Sequence, residues 1–382
     1  MHLRADDPVV VACRFGGPPG YALGVAIPVS VSPSPAPADL RAIAARVERR
    51  LEVLLDDERR RWSELDADLD EPIALLGEMV LSGGKRLRPA FVHWGFVAAG
   101  GSVPDDQVDT AGAAFEMLHT FALVHDDIVD DSDTRRGRPA LHIRFVARHQ
   151  QQGFRGEQRR FGEGVAVLVG DLAHVYADML AADFPRAAVD VWNELRVELN
   201  VGQYLDLLGT ARGDTDAAHA RRIARYKSAK YTIERPLHLG AALAGSYDAL
   251  APVLSAYGIP LGEGFQFRDD LLGVFGDSAI TGKPVGDDLR EGKPTTLLAL
   301  AVERSTAEQR TLLELVGSPD LDDNDIARCQ EILTETGAAA EIERQIEASR
   351  HEAIAAIEAA PIEADARQAL IDLAWYVTDR DR

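Results

Sequence analysis

An all-α fold is predicted for this 382-residue chain, and three observations predict it. Alanine and leucine are abundant while aromatic residues make up only 6%, a mix that favours helix over sheet. Apolar residues recur at helical spacing in segment after segment. No strand–helix–strand alternation and no repeat of fixed period interrupts them. With 46% hydrophobic residues the chain can bury a sizeable core, and residues 39–382 read as one helical domain.

Residues 1–38 differ in character. GGPPG and SVSPSPAPAD are rich in Pro, Gly and Ser, so a flexible tail is expected there. Asp39 is placed to cap a helix through ADLRAIAARVERRLEVLL. EPIALLGEMVLSGGKRLRPAFVHWGFVAAGG reads as helix, glycine break, helix. Pro104, Asp105 and Asp106 open a long helix that ends in FEMLHTFALVHDDIVDD. Residues 149–164 are polar and glycine-rich and are expected to form a loop. Helices follow around GVAVLVGDLAHVYADMLAADF, VGQYLDLLG, YKSAKYTIERPLHLGAALAG and GIPLGEGFQFRDDLLGVFG. GDSAITGKPVGDDLREGKPT is turn-rich, helix resumes at TTLLALAV, and 325–380 reads as charged, alanine-rich helix.

The formal net charge is −21, which disfavours nucleic acid and anionic lipid as partners. Cys13 and Cys329 offer neither metal-ligand spacing nor a disulfide framework, and a reducing cytoplasm fits them best. Asp6 and Asp7 stand where a signal peptide carries positive charge. No apolar run is expected to reach the roughly 18 residues of a spanning helix, so stable membrane insertion is not expected.

The stretch LVHDDIVDDSDTRRGRP places five carboxylates within eight residues, directly after an apolar run. On a helix Asp126 and Asp130 share one face, with His119 on or near the same stripe. Like charges at that spacing destabilise an isolated helix, and a cation between them reverses the sign. Oxygen ligands without sulfur suit a hard cation such as Mg²⁺, which shares phosphate oxygens. A second acidic pair, Asp269 and Asp270, follows another apolar helix with Gln266 one turn earlier. LDDERR and DLDDNDIA follow no apolar face and are read as solvated surface or caps.

SGGKRLRPA is the basic counterpart. Two glycines let backbone approach an anion, and Lys85, Arg86 and Arg88 supply charge; the spacing is not that of a P-loop. Arg135 and Arg136 follow the first acidic cluster, Lys227 and Lys230 lie in YKSAKYT, and Lys283 and Lys293 follow the second cluster. Together they point to two anionic groups, met by Mg²⁺ on one side and by Lys and Arg on the other. A diphosphate head with a greasy tail fits, the tail lying in an apolar cavity between helices.

At this point the sequence resembles the trans-isoprenyl diphosphate synthases, the head-to-tail prenyltransferases of polyprenyl synthetase type. The resemblance rests on GGKRLRP, HDDIVD with TRRG, GQYLD, YKSAKYT, FQFRDDLLGVFGD and GKPVGDDLREGKPT in that order, and runs from about Leu51 to the C-terminus. It implies an isoprenoid-synthase-type bundle, a homodimer, and condensation of isopentenyl diphosphate with an allylic diphosphate. It implies three Mg²⁺ ions, two on Asp126 and Asp130 and a third on Asp269 with Asp270 in support. Arg135, Lys227, Lys283 and Lys293 would grip the allylic diphosphate. Lys85, Arg88, His119 and Arg136 would form the isopentenyl diphosphate pocket. Gln203, Asp206 and Gln266 would line the allylic site. Ser228 stands where the family usually has Thr, and Tyr231 matches a tyrosine near the departing proton. One departure stands out: the second acidic motif ends in Gly273 instead of Asp; Asp269 is still expected to bind metal directly, with Asp277, one turn on, as a candidate contributor.

The resemblance also implies a chain-length floor one to two turns before Asp126, at Leu118, Phe121 and Ala122. An aromatic residue five before, a small residue four before and no insertion resemble synthases of geranylgeranyl diphosphate. A farnesyl or a longer-chain product is the alternative. A class I terpene cyclase would not need a second diphosphate pocket, which GGKRLRP supplies. A non-catalytic subunit of a heteromeric synthase would have lost Asp or Arg from motifs that this chain keeps.

Overall fold

Local signals set most helix ends. The computed structural model describes residues 37–135, 137–213, 215–276 and 285–379. Of the expected tail, residues 1–36 lie outside the described residues, as do Arg136, Asp277 and Lys283. The first helix, α1 (Ala38–Leu65), has Pro37 at its N-cap. Asp39 therefore sits in the first turn, where its charge favours the helix dipole, and not at the cap. Next come α2 (Asp70–Leu81) and α3 (Leu87–Ala98), separated by the glycine break. There Gly83, Gly84 and Arg86 all take positive φ (90°, 140° and 48°). The long helix α4 (Asp106–Val129) begins as expected, with the Asp105 side chain accepting from the backbone N–H groups of Gln107 and Val108.

The first acidic cluster then turns through a two-stranded hairpin, β1 (Thr134–Arg135) against β2 (Arg138–Pro139), which composition did not foretell. The loop expected at 149–164 is much shorter. Helix α5 (Leu141–Gln152) ends at Gly153 in a left-handed conformation. Glu157 caps α6 (Gln158–Ala181) by accepting from the backbone N–H groups of Arg159 and Arg160. These two caps convert a polar stretch into helix ends. Helix α7 (Arg186–Arg212) and α8 (Ala217–Ile223) lead into a π-helical segment, Ala224–Glu234, then α9 (Arg235–Leu243) and α10 (Tyr247–Phe275). A five-residue helix α11 (Asp287–Glu291) lies in the turn-rich segment. The remaining helices are Thr296–Arg304, Ala307–Leu313, Asp323–Glu335, Ala338–Glu358 and Ala364–Thr378. Asp322 of DLDDNDIA forms a capping box with Asp325, in line with the cap reading of that acidic run.

The interior is apolar and helical. Phe115, Met117 and Leu118 of α4, Val169, Ala173 and Tyr176 of α6, and Trp192 and Leu195 of α7 belong to one buried cluster. Phe91, Leu237, Tyr257 and Leu261 join Leu370 and Leu373 of the last helix in a second. A third, with Phe267, Leu271, Leu289 and Leu297, lies beneath the second acidic motif. Helix α6 corrects one expectation: by length and composition it is apolar enough to cross a membrane. It is two-faced, however. Ala166, Val169, Ala173, Tyr176 and Ala177 are buried inside the bundle, while Val167, Leu168, Val175 and Met179 are exposed.

Candidate active site

Two cavities open between the helix ends, and the residues that face them come from every motif that carries the family resemblance. The first, about 390 Å³, is lined by Asp126, Arg135, Asp206, Lys227, Ser228, Gln266, Asp269, Asp270, Gly273, Asp288 and Lys293. The second, about 440 Å³, is lined by Lys85, Arg88, His119, Ala122, Asp126, Gln203, Lys227, Ser228, Tyr231 and Asp269. Both sizes suit small-molecule sites. Asp126, Lys227, Ser228 and Asp269 border both, so the two pockets share a wall.

The shared wall is a charge network. Lys227 Nζ donates to Asp126 Oδ1 at 3.2 Å and to Asp206 Oδ2 at 2.5 Å. Gln203 Nε2 donates to the same Asp126 oxygen at 2.8 Å. Burial opposes the charge of Asp126, but Lys227, Lys293 and Arg135 outweigh it and hold its carboxyl below the usual range. Asp130 goes the other way: burial and the neighbouring Asp126 push its carboxyl up to about 6, against Lys293 and Lys227. Lys293 Nζ lies 3.6 Å from Asp130 Oδ2, 3.5 Å from Asp288 Oδ1 and closer still to Glu291.

Arg135 is positioned by Asp127, the acidic residue between the two expected metal ligands. Its Nε donates to Asp127 Oδ1 at 2.7 Å, and its Nη2 lies 4.0 Å from Asp126. Asp127 is therefore turned into the protein, fully buried, as an anchor for Arg135. On the second motif Asp270 is likewise buried. Burial, with Asp288 and Asp269 as like charges, raises its carboxyl well above the usual range. It accepts from Gln266 Nε2 at 2.7 Å, and Gln266 in turn accepts from the Ser228 hydroxyl. Asp270 thus holds Gln266 in place.

A π-helix presents Lys227, Ser228 and Tyr231. Helical periodicity predicts an ordinary helix here, and nothing in the residue propensities distinguishes the wider winding, which often marks functional sites. Close packing secures it. A Cβ on Gly202 of α7 would come within 2.5 Å of Lys227 N, and one on Gly258 of α10 within 2.8 Å of Glu234 Cα. Tyr231 is buried, and its hydroxyl has no hydrogen-bond partner among the described residues. Arg88 stacks its guanidinium over the Tyr231 ring at 4.4 Å and donates to Thr232 Oγ1 at 3.1 Å. The His119 ring stands 6.2 Å from that of Tyr231.

Three expectations change. Arg86 does not act as a free cation of the basic patch: it is buried, paired with Glu48 and Glu116, and donates to the Val80 carbonyl at 2.7 Å. Lys230 pairs with Glu198 and Glu234, away from the shared wall. Of the expected floor, Ala122 lines the second cavity, whereas Leu118 does not border it and is fully buried in the core. Phe121 stands aside, its ring 4.6 Å from His125 and 4.9 Å from His174 of α6. A helical wheel carries the reason: at about 100° per residue, Phe121 lies roughly 140–160° around α4 from Asp126 and His119, and about 100° from Ala122.

Among the described residues, no three His, Cys, Asp or Glu side chains converge into a closed metal cage. The donors that line the first cavity are nonetheless carboxylates in excess over its cations. Such a half-formed, oxygen-only site fits Mg²⁺, which takes one or two carboxylates and fills its shell with water and phosphate oxygens.

Similarity to known proteins follows the same lines. A geranylfarnesyl diphosphate synthase from Aeropyrum pernix is 33% identical over 269 residues, covering 68% of this chain and 78% of that protein. A geranylgeranyl diphosphate synthase from Methanosarcina mazei is 31% identical over 304 residues, covering 75% and 86%. The crystal structure of geranylgeranyl pyrophosphate synthase from Corynebacterium glutamicum, complexed with isoprenyl diphosphate and magnesium, superposes with a TM-score of 0.85. It is 39% identical and covers 89% of this chain and 99% of that one. Residues 72–333, which hold both acidic motifs and the shared wall between the pockets, match the polyprenyl synthetase family, and the chain belongs to it.

Proposed function

We propose that this prenyltransferase condenses isopentenyl diphosphate with allylic diphosphates, head to tail, and releases geranylgeranyl diphosphate. The observation that carries the reading is the wall shared by two pockets of different character, one rich in carboxylates and one rich in Lys, Arg and His. Two diphosphates can then lie side by side with their carbon chains meeting between them. Asp126 and Asp130 would hold two Mg²⁺ ions and Asp269 a third, and these ions, when bound, neutralise the charge of the allylic diphosphate.

The chain's own groups supply the rest. Lys227, Lys293 and Arg135 meet the allylic diphosphate as its C–O bond breaks and the electron pair stays on oxygen, where fixed cations in a dry pocket act most strongly. Lys85, Arg88 and His119 orient isopentenyl diphosphate, so that its terminal carbon bonds to the allylic carbon. A proton then leaves the former double-bond neighbour for the departed diphosphate. Tyr231, buried beside this step with its hydroxyl unspent, shields the cation from water. No side-chain nucleophile is required.

The twenty-carbon product rests on small Ala122, at the border of the second cavity, leaving room for the growing tail. A longer product is the second reading, favoured by Phe121 standing aside from the cavity. The exposed apolar faces of α6 (Val167, Leu168, Val175) and α7 (Val197, Val201, Tyr204) support a homodimer that covers them. The test is a product assay. Purified protein receives Mg²⁺, isopentenyl diphosphate and, separately, dimethylallyl, geranyl and farnesyl diphosphates, and the alcohols released by phosphatase are sized. Twenty carbons support the reading, and a longer alcohol keeps the enzyme class but removes the floor. Absence of condensation with every starter, or release of a hydrocarbon, overturns the proposal.

A further inference from the structure

The second acidic motif ends in a residue without a side chain, and the structure gives a reason that the sequence does not. Gly273 lies in α10 without a positive φ, so backbone conformation does not call for glycine. Space does. A Cβ at this position would overlap the carboxylate of Asp288, with even the farther Oδ1 only 3.0 Å away. The volume that a side chain at 273 would take is thus already filled by a carboxylate from another segment.

The placement of Asp288 is built into the fold. It sits on α11, which is entered and left through Gly286 and Gly292, both with positive φ (73° and 68°). Its neighbour Leu289 is 2% exposed and joins the apolar cluster beneath the motif. Asp288 borders the same cavity as Asp269 and Asp270 and lies 3.5 Å from Lys293, whose Nζ is also 3.6 Å from Asp130 of the first acidic motif.

We propose that Asp288 supplies the carboxylate that Gly273 lacks, completing the second acidic motif toward a diphosphate-bound divalent cation, and that Gly273 is glycine to admit it. Asp288 is a positioning residue in this account. The inference rests on the prenyltransferase reading. It assigns the part to a residue of a separate helix, where the sequence alone offers Asp277 as a contributor.

The test is calorimetric binding of inorganic pyrophosphate to the full chain across a Mg²⁺ series, with apo thermal unfolding as a separate check of folding. Asp288→Asn and Gly273→Ala should each raise the half-saturating Mg²⁺ concentration about tenfold, as loss of a metal-supporting partner does. Gly273→Ala alters no charge, so its effect reports displacement of the Asp288 carboxylate. The exchange Gly273→Asp with Asp288→Ala should recover much of what Asp288→Ala alone loses. Unchanged Mg²⁺ dependence in Asp288→Asn and Gly273→Ala, or an exchange no better than Asp288→Ala, overturns the inference while wild-type binding keeps the reading beneath it. Absence of magnesium pyrophosphate binding by the wild-type chain overturns both.

Discussion

At the scale of single residues, Lys227 and Asp130 show how one site sets opposite charge requirements. Lys227 holds two carboxylates and borders both pockets. Lys227→Ala should lower kcat/KM for the allylic substrate by about a hundredfold, the scale of losing one preorganised charge donor. It should also lower the apo melting temperature, since Asp126 and Asp206 lose their shared cation; steady-state kinetics and calorimetry read the two effects. Asp130 has its carboxyl raised to about 6, first by burial and then by Asp126. Its unfolded value is about 4, so between about 4 and 6 the folded state holds the extra proton and apo stability falls as pH rises. Asp130→Asn should therefore raise the apo melting temperature by roughly 2–4 °C at pH 7.5 and by little at pH 4. An equal gain at both pH values would mean that the ionised carboxylate is not what costs stability. Ala122 borders the second pocket. Ala122→Phe should shorten the product by one five-carbon unit or more, read by alcohol length, with condensation retained.

At the scale of elements, the site depends on how close three helices come. The π-helix Ala224–Glu234 carries Lys227, Ser228 and Tyr231 and is flanked by α7 and α10 at positions where only glycine leaves room. Gly202→Val would drive a side chain into the backbone at Lys227. Its expected cost is about 1–3 kcal/mol of stability. Activity should fall by more than that cost implies, because Lys227 moves relative to Asp126. Denaturant unfolding and kinetics on the same preparation check this; a stability loss with full activity would show that the π-helix can shift without harm.

At the scale of the whole molecule, α6 and α7 expose an apolar surface that a lone chain leaves in water. Leu168 is 64% exposed and Tyr204 64%. Leu168→Glu with Tyr204→Glu should convert the proposed dimer into monomers in light scattering, and an unchanged dimer mass would place the interface elsewhere. The sequence by itself determined the helical class, the acidic and basic motifs, and that Asp126 and Asp130 share a face, because helical periodicity and local charge spacing are properties of contiguous chain. The Asp105 cap belongs with them. The true length of the loop near Gly153 escaped because both helix ends there depend on backbone caps that polar composition hides. Only the tertiary structure decided that Arg86 is spent on Glu48 and Glu116, that Asp127 anchors Arg135, and that Phe121 faces α6 and not the cavity. It alone brought Asp288 over Gly273. Each of these depends on which segments meet across the bundle, and that is set by packing between distant helices, not by any pattern within one of them.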